Sequence, residues 1–218
     1  MVSARRMVIV AGPPGAGKSS VFPLTDFADR VFNADDRAAA LNAGSYEGIP
    51  LAIRTAVNRE FEEFVHANIR SGTSFAIETT LGSTITFEQA RIARQHGFRV
   101  LMVYVALDTV EQHIERVKRR AARGGHSASE TTLRRIHASS LENLPVALSP
   151  GKSGIEFIRI YDNSISGSGP SLALESRRGR VVRLAAEFPR WLQRALHWTD
   201  RDLDRHRREL ARGLDLGR

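Results

Sequence analysis

The stretch Met7-Val8-Ile9-Val10-Ala11, followed at once by Gly12-Pro13-Pro14-Gly15-Ala16-Gly17-Lys18-Ser19-Ser20, decides the reading. Gly12 to Ser19 matches G-x-x-x-x-G-K-[ST] at every position. The apolar run before it predicts a strand, and the mixed segment from Val21 to Ala28 predicts a helix after it. Strand, glycine loop and helix in that order give the motif its meaning. Glycines let successive backbone N–H groups turn inward around an anion, and the start of a helix adds positive potential. The Lys18 ammonium neutralises phosphate charge, and the Ser19 hydroxyl suits a magnesium shell. Among 32 basic residues only Lys18, Lys118 and Lys152 are lysines, so a lysine in this place is informative. The competing reading, an ordinary glycine turn before a helix, is weakened by that context. Binding of ATP or GTP is the expectation, with residues 12–20 as the nucleotide-binding segment. The loop does not name a phosphoryl acceptor.

Working outward, Val31-Phe32-Asn33 forms a second short strand ending at Asp35-Asp36, and Ser74 to Ile77 a third ending at Glu78. Arg99 to Leu107 is the longest apolar run, and Ile155 to Tyr161 alternates. Between them lie helical periods: Pro50 to Ser71, Thr84 to His96, Thr109 to Arg123 and Glu130 to Leu148. Strands alternating with helices predict an α/β fold, a five-stranded, mainly parallel sheet with helices on both faces. Sites on such sheets sit at the carboxyl ends of the strands.

After Asn163 the character changes. Ser164 to Ser171 is rich in Ser and Gly, Leu172 to Leu184 reads as a hairpin turning near Arg178-Gly179, and Pro189 opens a helix carrying Trp191, Leu192, Ala195 and Trp198. Thr199-x-x-Asp202 is suited to cap a last, highly charged helix. The expected division is residues 1–165 as the main domain, with a helical lid over about 109–148. Residues 166–218 form a basic extension too short to fold alone.

The chain has 218 residues, 42% hydrophobic and 26% charged, which fits one globular domain with a small appendage. No stretch approaches the roughly 18 uninterrupted apolar residues of a membrane span, and Met7 to Ala11 is too short for a signal-peptide core, so a cytoplasmic location is expected. With no cysteine, disulfides, thiolate catalysis and cysteine metal sites are excluded. Of the net charge of +8, +6 falls in the last 43 residues, where 12 Arg stand against 6 acidic residues from Ser176 onward. That excess suits nucleic acid or acidic partners, against the plainer reading of a solvated, Arg-rich surface helix without the interleaved aromatics of a base-stacking platform.

Three further constellations carry chemistry. Asp35 ends the second strand, where the fold brings it across the cleft from the phosphates. It is suited to take a proton from an attacking hydroxyl, to hold magnesium, or to cap a helix starting at Asp36. Glu78-Thr79-Thr80 closes the third strand with groups that grip a polyol or sugar, serve magnesium through water, or simply end a strand in a hydroxyl-rich turn. Arg116, Lys118, Arg119, Arg120 and Arg123 precede Gly124-Gly125-His126, with Arg134-Arg135 after them. A helix, glycine loop and helix of this kind reads as a kinase lid or as a solvated basic face.

Together these segments resemble the zeta toxin family of P-loop kinases, in its bacterial zeta-like branch. The resemblance rests on residues 12–19, Asn33-Ala34-Asp35-Asp36, Glu78-Thr79-Thr80-Leu81, Arg116 through His126, Ser140-Leu141-Glu142-Asn143-Leu144 and Tyr161-Asp162-Asn163-Ser164. It implies a P-loop kinase fold using ATP and Mg2+ to phosphorylate the sugar 3-hydroxyl of UDP-N-acetylglucosamine. It also implies a separate antitoxin protein as a partner. By the same resemblance Lys18 and Ser19 hold phosphates and magnesium, Asp35 is the catalytic base, Glu78 and Thr80 contact the sugar nucleotide, and Arg120 and Arg134 clamp the phosphoryl group, with Arg135 the alternative second clamp. Two departures stand out: Ser127-Ala128-Ser129 replaces the usual Asp-Val-Pro after His126, and Gly82 stands where some relatives carry a basic residue. Two other readings use the same loop: a polynucleotide 5′-hydroxyl kinase or other nucleic-acid-modifying enzyme, and a non-catalytic nucleotide-binding module docking through Trp191, Leu192 and Trp198.

Overall fold

The computed structural model describes residues 4–45, 48–123 and 128–215. Among them, seven strands form one sheet in the order β2-β3-β1-β4-β5-β6-β7. The strands are β1 (Arg6–Ala11), β2 (Arg30–Phe32), β3 (Phe75–Thr79), β4 (Arg99–Ala106), β5 (Phe157–Asp162), β6 (Ser171–Arg177) and β7 (Arg180–Leu184). The first five run parallel, as the alternation of strands and helices requires, while β6 runs antiparallel to both β5 and β7.

The sheet is therefore two strands wider than the five expected, and it is mixed. The hairpin does turn at Arg178-Gly179, both at positive φ, but it joins the sheet instead of standing apart. The Ser/Gly-rich segment after β5 reverses the chain, so β6 returns along the edge that β5 would otherwise leave unpaired.

The helices are α1 (Lys18–Val21), α2 (Ala34–Leu41), α3 (Leu51–Ser71), α4 (Ile85–Gln95), α5 (Val110–Ala121), α6 (Glu130–Glu142), α7 (Leu144–Ala147), α8 (Pro150–Ser153), α9 (Arg190–Ala195) and α10 (Asp200–Asp215). Among the described residues, no helix is long and apolar enough to cross a membrane. The main core lies on one sheet face. Met7, Ile9, Phe75, Ile77, Met102, Tyr104 and Ile160 meet Val65 and Ile69 of α3, Phe87 and Ala90 of α4, Leu144 of α7, and Trp191 and Leu192 of α9. The tail's aromatic stripe thus packs largely on the chain's own core.

The other face is thinly covered. The helix expected over Val21 to Ala28 is a single turn ending at Val21, because Pro23 disfavours the helical conformation at Phe22, which lies at φ −132° and ψ 69°. A short 3₁₀ turn, Leu24–Asp26, follows. Phe22, Leu24 and Phe27 cover Val8, Val10, Val103 and Val105 from that side. Likewise the predicted Glu130 to Leu148 helix divides at Asn143, just before Pro145. The capping box at the start of α10 forms as expected: Asp202 N–H donates to Thr199 Oγ1 at 3.3 Å, and Thr199 N–H donates to Asp202 Oδ2 at 2.9 Å.

Candidate active site

The phosphate loop leaves β1 at Gly12 and enters α1 at Lys18. Its glycines are sterically required. Gly12 has φ 139°, and a Cβ there would lie 2.0 Å from the Val105 carbonyl oxygen; Gly15 has φ 79°, and its Cβ would lie 2.4 Å from the His113 carbonyl oxygen. Close packing of backbone on backbone therefore shapes the loop from β4 and α5.

Lys18 is buried, and its Nζ donates to the carbonyl oxygens of Gly12 at 2.9 Å and Pro13 at 3.3 Å. Burial lowers its pKa; the carboxylates of Glu78 and Asp35 act to raise it, and Arg120 adds to the lowering. Lys18 Nζ lies 3.6 Å from Glu78 Oε1, and Ser19 Oγ donates to Glu78 Oε2 at 2.7 Å. Pairing of β1 with β3 sets Val10 opposite Glu78, which delivers this carboxylate to the loop.

Asp35 lies in the first turn of α2. The helix is capped by Asn33, whose Oδ1 accepts from Asp35 N–H at 3.0 Å and Asp36 N–H at 3.4 Å. The reading of Asp35 as the N-cap is thereby corrected: Asn33 has the extended backbone a cap needs, and Asp35 keeps its carboxylate for other work. Asp35, Glu78 and Thr80 line one cavity of about 240 Å³, with Asn33, Asn58 and Phe61. Thr80 is presented by a tight turn in which Leu81, buried at φ 58°, donates its N–H to Thr79 Oγ1 at 3.1 Å. Asn143 Nδ2 holds the Leu81 carbonyl at 2.8 Å, which ties this turn to the end of α6.

A hollow of about 450 Å³ lies elsewhere, between the start of α5, α6 and α9. It is larger, but neither Asp35 nor Glu78 lines it, whereas Glu78 joins the smaller cavity to Lys18 and Ser19 of the loop, so the smaller cavity is the candidate site.

The two expected clamps differ in their engagement. Arg120, exposed on α5, lies within electrostatic range of Lys18. Arg134 pairs with Glu111 at 2.9 Å and Glu130 at 2.8 Å, and these carboxylates hold its pKa up. Arg135 makes no ion pair among the described residues. Gly124, Gly125, His126 and Ser127, the centre of the expected lid, lie outside the described residues.

Two supports of the loop carry no mark of that role in the sequence. His113 is buried between β4 and the loop: its Nε2 accepts from Leu107 N–H at 3.0 Å, and its Nδ1 lies 2.9 Å from the Pro14 carbonyl. These contacts assign the proton to Nδ1. Burial lowers its pKa to about 3. Asn163 Nδ2 donates to the Ala16 carbonyl at 2.9 Å, while Arg116 donates to the Asn163 carbonyl at 2.8 Å. Asn163 at least falls within the Tyr161-Asp162-Asn163-Ser164 segment, whereas a histidine inside an amphipathic helix gives no sequence signal of this kind.

The residues also fit a magnesium ion. Ser19 and Glu78 supply hard oxygen donors side by side, and magnesium needs few protein ligands when phosphates complete its shell.

Comparison with known proteins places this geometry. An uncharacterized protein of Haemophilus influenzae is 25% identical over 130 residues, which is 59% of this chain and 90% of that one. A chain of the AvrRxo1-ORF1:AvrRxo1-ORF2 complex, solved with sulphate ions, superposes with a TM-score of 0.63 at 11% identity, over 88% of this chain and 64% of that one. This chain thus spans less than two thirds of the AvrRxo1 chain. A chain of the PezAT chromosomal toxin-antitoxin system of Streptococcus pneumoniae superposes with a TM-score of 0.61 at 14% identity, over 97% of this chain and 88% of that one. These likenesses show the fold, an α/β P-loop kinase-like sheet with helices. The AAA domain family model AAA_33 matches residues 7–141, from β1 through the phosphate loop, Asp35 and Glu78 to α6. With more than half of its length matched, the chain belongs to this AAA domain family.

Proposed function

We propose that the protein transfers the γ-phosphoryl group of ATP to a hydroxyl of a small molecule, with a UDP-sugar such as UDP-N-acetylglucosamine as the acceptor. The observation that carries this reading is the convergence of Asp35, Glu78 and Thr80 on one cavity beside Lys18 and Ser19. The resemblance to zeta toxins supports the choice of acceptor, and an AvrRxo1-ORF1:-ORF2 structure with ATP supports the choice of donor.

In this reading the acceptor hydroxyl enters the cavity and Asp35 accepts its proton as the new O–P bond forms. The bond between the γ-phosphorus and the bridging oxygen breaks, and ADP leaves with that electron pair. Lys18 and the loop N–H groups hold the phosphate charge, and Arg120, on the helix packed against the loop, stabilises the charge on the transferring group. Ser19 and Glu78 would hold magnesium, which neutralises phosphate charge when bound. Thr80 positions the acceptor by hydrogen bonding.

Arg134 reaches the phosphoryl group only by releasing Glu111 and Glu130, which makes Arg120 the first clamp. A separate antitoxin is a proposed partner, in keeping with the toxin-antitoxin system among the fold relatives.

The test incubates the protein with magnesium, ATP and UDP-N-acetylglucosamine and follows the sugar nucleotide by mass spectrometry. A gain of one phosphoryl group that disappears in Lys18→Ala supports the reading. ATP binding with no phosphorylated product removes this acceptor.

A further inference from the structure

The positive charge of the C-terminal segment does not sit where the sequence suggests. Helix α10 carries Arg201, Arg205, Arg207, Arg208 and Arg212 against five acidic residues, so it is balanced. Part of the excess, Arg177, Arg180 and Arg183, lies on the thinly covered sheet face, where Arg99 and Arg159 join it. There the helical cover stops at Phe22, whose ring lies 4.7 Å from Tyr161. Beyond it, strand register brings exposed arginines together: Arg159 of β5 is opposite Glu175 of β6, which is opposite Arg183 of β7, and Phe157 is opposite Arg177, which is opposite Arg180. Arg99 of β4 lies over the Phe157 ring at 4.7 Å.

Five arginines thus face one carboxylate. Glu175 is shared by Arg177 at 2.8 Å and Arg159 at 3.3 Å. Arg99, Arg180 and Arg183 have no carboxylate partner among the described residues, so the face has uncompensated charge.

We propose that this face binds single-stranded nucleic acid through its phosphates, independently of sequence. Guanidinium forks match phosphate oxygens, and the Arg99 guanidinium held over the half-buried Phe157 ring presents a planar cation of the kind that bases stack on. A specific protein partner fits less well, because protein interfaces are depleted of charge at their centres, whereas nucleic-acid interfaces are strongly positive. Arg99 opens β4, at the opposite end of that strand from the phosphate loop, roughly 20 Å away at the rise of an extended chain. The face is therefore separate from the cavity, and its binding does not depend on the proposed transfer reaction.

The test measures anisotropy of a labelled single-stranded DNA of about 20 nucleotides, long enough to cross the four strands, with the full chain at several salt concentrations. Binding is expected to fall linearly with salt on logarithmic axes. The combined variant Arg99→Ala, Arg180→Ala, Arg183→Ala, which leaves Glu175 paired, is expected to bind about tenfold or more weakly, with a salt slope shallower by about 2, at about 0.7 per lost cation. Combined Arg201→Ala, Arg205→Ala, Arg212→Ala on α10 and, separately, Lys18→Ala are expected to bind as the wild type does. If the face variant fails to fold, Arg183→Ala alone carries the test through its slope. No binding by the wild type, wild-type binding by the face variant, or an equal loss in the α10 variant overturns the proposal. Displacement by polyglutamate as effective as by unlabelled DNA also overturns it, by pointing to an acidic protein instead.

Discussion

The Ser19 hydroxyl donates a 2.7 Å hydrogen bond to Glu78, a residue that reaches it only because β3 lies beside β1. The same carboxylate lies 3.6 Å from Lys18, so one acidic group serves both Lys18 and Ser19 of the phosphate loop. Glu78→Gln keeps the shape but removes the charge. Magnesium-dependent ATP binding is expected to weaken about tenfold, while metal-free nucleotide binding changes little. Calorimetric titration with and without magnesium checks this, and an equal change in both conditions contradicts a metal role.

His113 makes stability depend on acidity. Its pKa is lowered to about 3 in the folded chain, chiefly by burial, against an ordinary value near 6.5. Above pH 6.5 the group is neutral in both states and contributes no pH dependence. As pH falls below that, the unfolded state takes up a proton that the folded state refuses, so stability falls by about 1.4 kcal/mol per pH unit until about pH 3. Between pH 7 and pH 5 the wild type is expected to lose about 2 kcal/mol more than His113→Gln in urea unfolding. Parallel losses would show that the ring is not held neutral.

The two clamps are expected to differ. Arg120→Ala should slow phosphoryl transfer about a hundredfold, as loss of a transition-state cation does. Arg134→Ala should slow it less than about tenfold, since Arg134 is engaged by Glu111 and Glu130. Single-turnover rates decide between them. A loss at Arg134 as large as at Arg120 would mean that those ion pairs break when substrate binds.

Gly15→Ala tests the packing of the loop. Both its φ of 79° and the 2.4 Å approach to the His113 carbonyl oppose a methyl group. The variant is expected to lose about 1–3 kcal/mol of stability and most of its ATP affinity. Wild-type values in thermal unfolding and titration would contradict this account of the loop.

Much of the fold and of the site is legible in the residues themselves. The phosphate loop is local, so its residue types and spacing name it, and the apolar runs of β1 and β4 fall within a residue or two of the strands observed. The Thr199 to Asp202 box is equally local. What the sequence hides depends on contacts between distant segments or on fine backbone geometry. Nothing near Leu172 says that a hairpin will join β5, Phe22-Pro23 cuts a helix that periodicity alone extends, and Asn33 displaces Asp35 as the cap. The pairing of Arg134 and the support from His113 are tertiary facts of the same kind.

The central claim is that Asp35 takes the proton of an acceptor bound beside the phosphate loop, and Asp35→Asn tests it most directly. ATP affinity by titration should stay within about threefold of wild type, because Asn33 rather than Asp35 caps α2 and Asp35 holds no phosphate, while transfer to the UDP-sugar should fall by about a hundredfold or more. Transfer that survives the substitution, or ATP binding that is lost with it, would contradict the assignment.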